Sequence, residues 1–333
     1  MPIPQEKICK FFYKPDGSDH CSHYQPADEN DPGLCDRSSQ FQCIVDIANR
    51  LPYISHSGRM NWARCRYKWY LARKYQVRQE KVGDPLVSGI ILDEFISYYI
   101  NGRNFKSRFE EIINTYQRSW QFKSRVHAII KAWYTLGITI DQTNLVGIQQ
   151  PCRYITPTAN VIGYTDVEYT DHLLEFKMSS NPDYYTQLFN ITSQCSTYFL
   201  CNPEIEYIDM MIVRLPGQRT GTRGFVDEDF DGFKARMYSD IISRPSYYFT
   251  GWKKEEKTFG KRFWRTEFPL DVIERDYEVI TQEILTAMEH EDDPGSFYQN
   301  FFGCHVPFDC EFLPICQTGI VSDEIYEPRK SKR

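Results

Sequence analysis

The chain has no apolar run long enough to cross a bilayer, so a membrane-spanning protein is not expected. Its opening residues, Met-Pro-Ile-Pro-Gln-Glu, lack the basic start and apolar stretch of an export signal. Eleven cysteines are an odd number, which does not suit a secreted framework of disulfides, and a reducing cytoplasm is the expected setting. Internal repeats and low-complexity blocks are also absent, which sets aside solenoids and compositionally biased chains. Nor is positive charge in excess. The formal net charge is −6, so a polyanionic partner would have to be held by local basic patches and not by the total. What remains is a 333-residue chain with 41% hydrophobic residues, enough for one large core with appendages.

Two short runs carry the chemistry. Ala159 to Tyr169 and Leu173 to Met178 are rich in Val, Ile, Tyr, Leu and Phe, and the polar Thr170-Asp171-His172 between them suits a tight turn. This pattern predicts a β-hairpin. With a two-residue turn at Thr170 and Asp171, Tyr169 faces His172 and the register sets Asp166 opposite Glu175. Opposed residues have Cβ atoms about 4.5 to 5.5 Å apart, close enough to share one divalent cation. Alternation along the strand puts Glu175 and Lys177 on one side and Phe176 on the other. Two carboxylates are hard oxygen ligands for Mg²⁺ or Mn²⁺, and a lysine beside them can orient water or offset charge developing on a phosphoryl group. A slip of one residue would part these groups, so the turn length matters. The bland alternative is a half-buried hairpin with a solvated charge cluster. Downstream, Gln194 and Tyr198 lie four apart in a predicted helix over Tyr184 to Leu200 and share a face, which by itself reads as helix surface.

The cysteines fall into groups. Cys65 lies far upstream of the hairpin, in a segment from Arg59 to Tyr70 that reads as one helix, and Cys304, Cys310 and Cys316 lie far downstream, as if one soft-metal site tied the two ends together. Four thiolates bind either a 4Fe-4S cluster or tetrahedral Zn²⁺, and spacing does not separate the two. Cys9, Cys21, Cys35 and Cys43, with His20 and His23 nearby, form a second group in a polar, turn-rich segment where Zn²⁺ or another metal would supply stability that a small core cannot. Cys152, Cys195 and Cys201 read as core or surface thiols.

The run Gly163-x-x-Asp166, Glu175-x-Lys177, Gln194-x-x-x-Tyr198 resembles the core of the PD-(D/E)XK nucleases, in particular the RecB-like and AddB-type exonucleases that carry an iron-sulfur cluster. The resemblance covers roughly Ser55 to Cys316. It implies Asp166 and Glu175 as ligands of Mg²⁺ or Mn²⁺, Lys177 as the catalytic lysine, and Gln194 and Tyr198 as residues that support the site and touch DNA. It implies Cys65, Cys304, Cys310 and Cys316 as ligands of a 4Fe-4S cluster and favours iron over zinc there. The interval from Cys310 to Cys316 fits the family pattern, whereas that from Cys304 to Cys310 is longer than usual. Similar proteins often carry a histidine four residues after the glycine of Gly89-Ile-Ile-Leu-Asp93-Glu94. Here Asp93 takes that place as a third candidate metal ligand, with Glu94 a weaker one.

From these observations an α/β fold is expected, with a restriction-endonuclease-like core of mixed sheet flanked by helices, a helical N-terminal part and a cysteine-ligated iron-sulfur staple. The predicted regions are a cysteine-rich extension over 1–52, a helical region over 53–147 with helices near Gly89 to Ile100 and Tyr116 to Leu136, a nuclease core over 148–300, a cluster-binding segment over 301–320 and a basic tail over 321–333. Basic residues mix with aromatics at Arg64-Cys-Arg-Tyr-Lys-Trp-Tyr70 and again from Trp252 to Arg265, a pattern that can hold phosphates and stack on unpaired bases. The resemblance implies hydrolysis of DNA phosphodiesters, with single-stranded ends preferred, in the cytoplasm of a bacterial, archaeal or phage-infected cell. One alternative keeps the enzyme and makes its job DNA trimming for CRISPR adaptation. Another is a non-catalytic DNA-binding or scaffold protein on the same fold.

Overall fold

A computed structural model describes residues 53–183, 194–220, 228–305 and 309–329. The N-terminal extension lies outside the described residues, and with it Cys9, Cys21, Cys35 and Cys43.

β1 (Tyr53–Ser55) leads straight into α1 (His56–Arg64), where the Ser55 hydroxyl caps the first turn by accepting the Gly58 amide at 3.1 Å. The single helix expected through Tyr70 does not form. At Cys65 the backbone is extended (φ −166°, ψ 117°), and the chain restarts as α2 (Arg66–Lys74) with Cys65 as its N-cap. The break is held from outside: Arg64 Nε donates to the Gly303 carbonyl at 2.6 Å, and Asn300 Nδ2 donates to the Arg64 carbonyl at 2.8 Å. Local periodicity favours continuity, but these tertiary bonds override it.

β2 (Tyr75–Val77) is followed by α3 (Asp84–Ile100), α4 (Lys106–Thr115) and α5 (Trp120–Leu136). Then come β3 (Leu145–Ile155), β4 (Asn160–Tyr169), β5 (His172–Ser179), α6 (Gln194–Cys201) and β6 (Tyr207–Arg214). The chain closes with α7 (Phe230–Ser243), β7 (Lys261–Trp264), α8 (Leu270–Glu289), α9 (Leu313–Thr318) and β8 (Tyr326–Pro328). Of the helix predicted over Tyr184 to Leu200, the part before Gln194 lies outside the described residues.

The class is α/β with a mixed sheet. Six strands run in the order β1-β4-β5-β6-β7, with β3 along the other edge of β4; β1–β4 and β5–β6 are parallel and the remaining pairs antiparallel. On one face α3, α5 and α7 bury Phe95, Trp133 and Met237 against Val167, Phe176 and Val213. On the other, Phe199 of α6 packs on Leu173, Met210 and Ile212, and α8 brings Tyr277 and Ile280 against Val161 and Trp62. A small antiparallel sheet of β2 and β8, sealed by Leu71, Phe312, Ile315 and Tyr326, clasps the two ends of the described chain. No helix of the described residues is long and apolar enough to cross a membrane.

The β4–β5 turn has two residues. Val167 pairs with Leu174 and Glu168 with Leu173, and the ladder stops there, one pair short of Asp166 and Glu175. The same edge of β4 pairs with β1 only over 160–162, so Gly163 to Asp166 have no ladder partner on that side. The sheet therefore splits at the carboxylate end of the hairpin.

Candidate active site

Asp166 sits at the mouth of that split. Its Oδ2 accepts the Phe176 amide at 2.8 Å, taking the place that a β4 carbonyl would fill, and its Oδ1 accepts from Gln149 Nε2 at 3.3 Å. Glu175 follows on β5 and is only 2% exposed. Its Oε1 accepts from Gln194 Nε2 at 2.7 Å and from the Lys177 ammonium, while Oε2 is buried with no hydrogen-bond partner among the described residues. The Gln194 amide also donates to the Tyr198 hydroxyl at 2.9 Å, and that hydroxyl donates to the Tyr164 carbonyl at 3.1 Å. Side chains one turn apart on α6 thus bind both strands that carry the acids, and Tyr198, which sequence alone puts on a helix surface, is 6% exposed.

Gly163 makes this packing possible. A Cβ there would stand 2.9 Å from Cys152 Sγ, closer than a packed side chain tolerates, and already in van der Waals contact with the Tyr198 ring at 3.4 Å. The thiols of Cys152 and Cys195 are buried in the core beneath the same helix.

The electrostatics are those of acids crowded out of water. Burial, then repulsion from Asp166, pushes the Glu175 carboxyl up to about 8. Burial and the same neighbour push Asp93, on α3, up to about 7. Asp166 is raised by burial too, against the opposing pull of Lys177 and the Phe176 amide. The acids in turn hold the Lys177 ammonium above its usual range despite its own desolvation, so it remains a cation. Asp93 is therefore close enough to feel the pair. Glu94 is engaged elsewhere, pairing with Arg108 at 2.6 Å.

The four candidate cluster cysteines meet as well. Cys65, Cys304, Cys310 and Cys316 line one cavity of about 240 Å³ together with Lys68, Asn300 and His305. Cys65 Sγ accepts two backbone amides, from Lys68 and Asn300, each at 3.4 Å. Burial and then the other three thiols raise Cys316 to about 11, the signature of sulfurs competing to stay neutral in one space. Gly303 lets the segments close: its Cβ would lie 2.9 Å from the Arg64 carbonyl. Among the described residues, no group of three or more His, Cys, Asp or Glu side chains stands ready to hold a metal ion. At the carboxylates, Lys177 occupies one of the oxygens such an ion would use.

No family model, no curated protein and no solved structure matches this chain.

Two residues of the site escaped the sequence reading. His56 opens α1 beside the split, and burial, followed by the charges of Arg59 and Lys177, lowers it to about 4. Its sequence signal is slight, a histidine just after Tyr53-Ile54-Ser55. Gln149 takes a positive φ of 52° across from Asp166 and carries no sequence signal, because only glycine, asparagine or aspartate would advertise that backbone. The basic runs also differ from expectation. Arg66 pairs with Glu283 and Lys68 with Glu311, each at 2.9 Å, while Arg262 pairs with Asp209 at 2.8 Å and Arg265 Nη1 donates to the Phe199 carbonyl at 2.7 Å. These cations are spent on tying elements together.

Proposed function

We propose that this chain is a metal-dependent nuclease of the PD-(D/E)XK type that hydrolyses DNA phosphodiesters, preferring single-stranded ends, with an iron-sulfur staple closing its fold. The observation that carries the reading is Glu175: one oxygen is held by Gln194 and Lys177, and the other is buried beside Asp166 without a partner among the described residues. A buried orphan carboxylate oxygen is costly unless something binds it. Asp166 and Glu175, with Asp93 at the rim, fit a hard divalent cation as oxygen donors, and Mg²⁺ or Mn²⁺ there would polarise a phosphoryl oxygen and acidify water.

The chain's own groups supply the rest. Lys177, held above its usual range by the acids around it, supplies a positive charge for the developing phosphorane. Gln194 and Tyr198 fix the Glu175 rotamer, and the Phe176 amide fixes Asp166, which keeps both carboxylates preorganised. The four thiols around one cavity, with two amides aimed at Cys65, fit a soft polynuclear centre. Such a cluster would lock α1 and α2 to the C-terminal segment, which is a structural task.

The test is cleavage of end-labelled single- and double-stranded DNA by protein purified without oxygen, with added Mg²⁺ or Mn²⁺ and with iron and sulfide quantified on the same sample. Metal-dependent cleavage that Glu175→Ala and Lys177→Ala abolish is expected. DNA affinity with no turnover under any divalent metal would instead assign a binding or scaffold role.

A further inference from the structure

With Arg66, Lys68 and Arg262 of the basic runs engaged in internal ion pairs, one face of the β1–β3–β4 sheet offers the substrate another surface. Residues opposed across strands share a face, so the register places Tyr53 beside Asn160, Arg153 beside Ile162 and Pro151 beside Tyr164 on a single side. The other side of these strands is closed by α6 and α8. This side is open at its prominent residues: Tyr53 is 49% exposed, Tyr164 is 59% exposed, and Arg153 and Pro151 are exposed too. The Arg153 guanidinium reaches across β4 to lie 5.6 Å from the Tyr53 ring centre, and among the described residues no carboxylate pairs with it.

We propose that this face is a track for single-stranded DNA, in which bases stack on Tyr164 and Tyr53 and Arg153 holds a phosphate between them. The inference rests on the nuclease reading and adds where its substrate lies. Three features favour that occupant. The strip ends beside the candidate site, since Tyr164 precedes Asp166 by two residues on β4 and its carbonyl is held by Tyr198. Its composition, exposed tyrosines with one guanidinium that has no carboxylate partner among the described residues, matches sequence-tolerant stacking on unpaired bases. Its length suits a short strand: Asn160, the partner of Tyr53, lies six residues from Asp166, which is about 20 Å at the rise of a β-strand. Bases paired in a duplex would not present their faces to the two rings, so the track discriminates against double strands.

The experiment measures binding separately from cleavage. Fluorescein-labelled oligothymidylate of about 16 nucleotides is titrated by anisotropy into Glu175→Gln protein, alone and with Tyr53→Ala, Arg153→Ala or Tyr164→Ala added. Each alanine is expected to weaken binding by about 5- to 100-fold, whereas Tyr53→Phe and Tyr164→Phe retain it within about twofold, because the ring and not the hydroxyl does the stacking. Arg153→Ala also makes the salt dependence shallower by about one phosphate contact. Alanine variants that are folded by circular dichroism yet bind as the parent does overturn the track. So does a loss of binding that coincides with a change of oligomeric state in light scattering, which would make this face a contact between copies of the chain. If the unsubstituted protein cuts DNA and the alanine variants bind and cut equally well, the track alone fails. If binding depends on these residues and nothing is ever cut, the nuclease reading alone fails.

Discussion

Gln194 Nε2 donates to Glu175 Oε1 at 2.7 Å, linking the first residue of α6 to the most buried acid of the sheet. The bond leaves Glu175 one free oxygen and one rotamer. Removing it frees the carboxylate to turn. Gln194→Ala is expected to lower Mn²⁺ affinity, read by calorimetry, and cleavage, read on labelled DNA, by about 10- to 100-fold each, the usual cost of deleting a residue that orients a ligand. Tyr198→Phe removes only the hydroxyl that steadies Gln194 and Tyr164, so its effect is smaller. Unchanged metal affinity in Gln194→Ala would separate the two residues from the candidate metal site.

The raised carboxyls make stability depend on pH in a definite direction. Glu175 and Asp93 hold protons in the fold up to about 8 and about 7, whereas the unfolded chain releases them near the ordinary carboxylate range. The folded state therefore binds more protons between those limits, and stability falls as pH rises through them. His56 works the other way: lowered to about 4 in the fold from an ordinary 6.5, it contributes stability that is complete above 6.5 and lost below it. Above 6.5 His56 no longer contributes to the pH dependence, and the two acids still do. In chelator the melting temperature is expected to drop between about pH 6.5 and about pH 8.5, less so in Glu175→Gln, and Mn²⁺ should stabilise more at the upper end than at the lower. A melting temperature flat across that window contradicts the buried, crowded acids.

Gly303 is the cleanest probe of the staple, because it carries no ligand atom. Its Cβ would meet the Arg64 carbonyl at 2.9 Å, a backbone atom that cannot swing aside. Gly303→Ala is expected to cost about 1–3 kcal/mol in urea denaturation. It should also lower iron content, since the segments bearing Cys65 and Cys304 are pushed apart. Cys65→Ser and Cys316→Ser should deplete iron without that steric strain. Full iron retention in both serine variants would remove the cluster from the four-thiol cavity.

Much of the site was legible in the sequence because a two-residue turn and strand alternation fix the placement of Asp166, Glu175 and Lys177 with few free choices. The four-residue spacing of Gln194 and Tyr198 likewise fixed a shared face, though not that this face is buried. What could not be read depends on partners distant along the chain. The helix break at Cys65 is enforced by Asn300 and Gly303, and Lys68 looks like an exposed cation until Glu311 is brought beside it. α4 went unforeseen; its apolar positions Phe109, Ile112 and Ile113 make sense only against α3 and α5.

Gln149 offers a test that separates function from stability by sign. It holds φ 52°, a left-handed backbone that costs a non-glycine residue about 1–2 kcal/mol, and its side chain donates to Asp166 at 3.3 Å. Strain of this kind persists where the surrounding structure exacts it, and its place on β3 across from the β4 carboxylate gives it a purpose: it aims the amide at Oδ1. Gln149→Gly relieves the backbone and deletes the amide together. Its melting temperature is expected to rise or hold while cleavage falls by about tenfold, as when one orienting hydrogen bond is lost. Gln149→Ala keeps the strain without the bond and should lose on both measures. Gln149→Asn tolerates the left-handed backbone but is too short to reach, so it should match the glycine variant in cleavage. If the glycine variant instead cuts DNA as well as the parent, the amide plays no part in positioning Asp166 and the strained turn serves the strand alone.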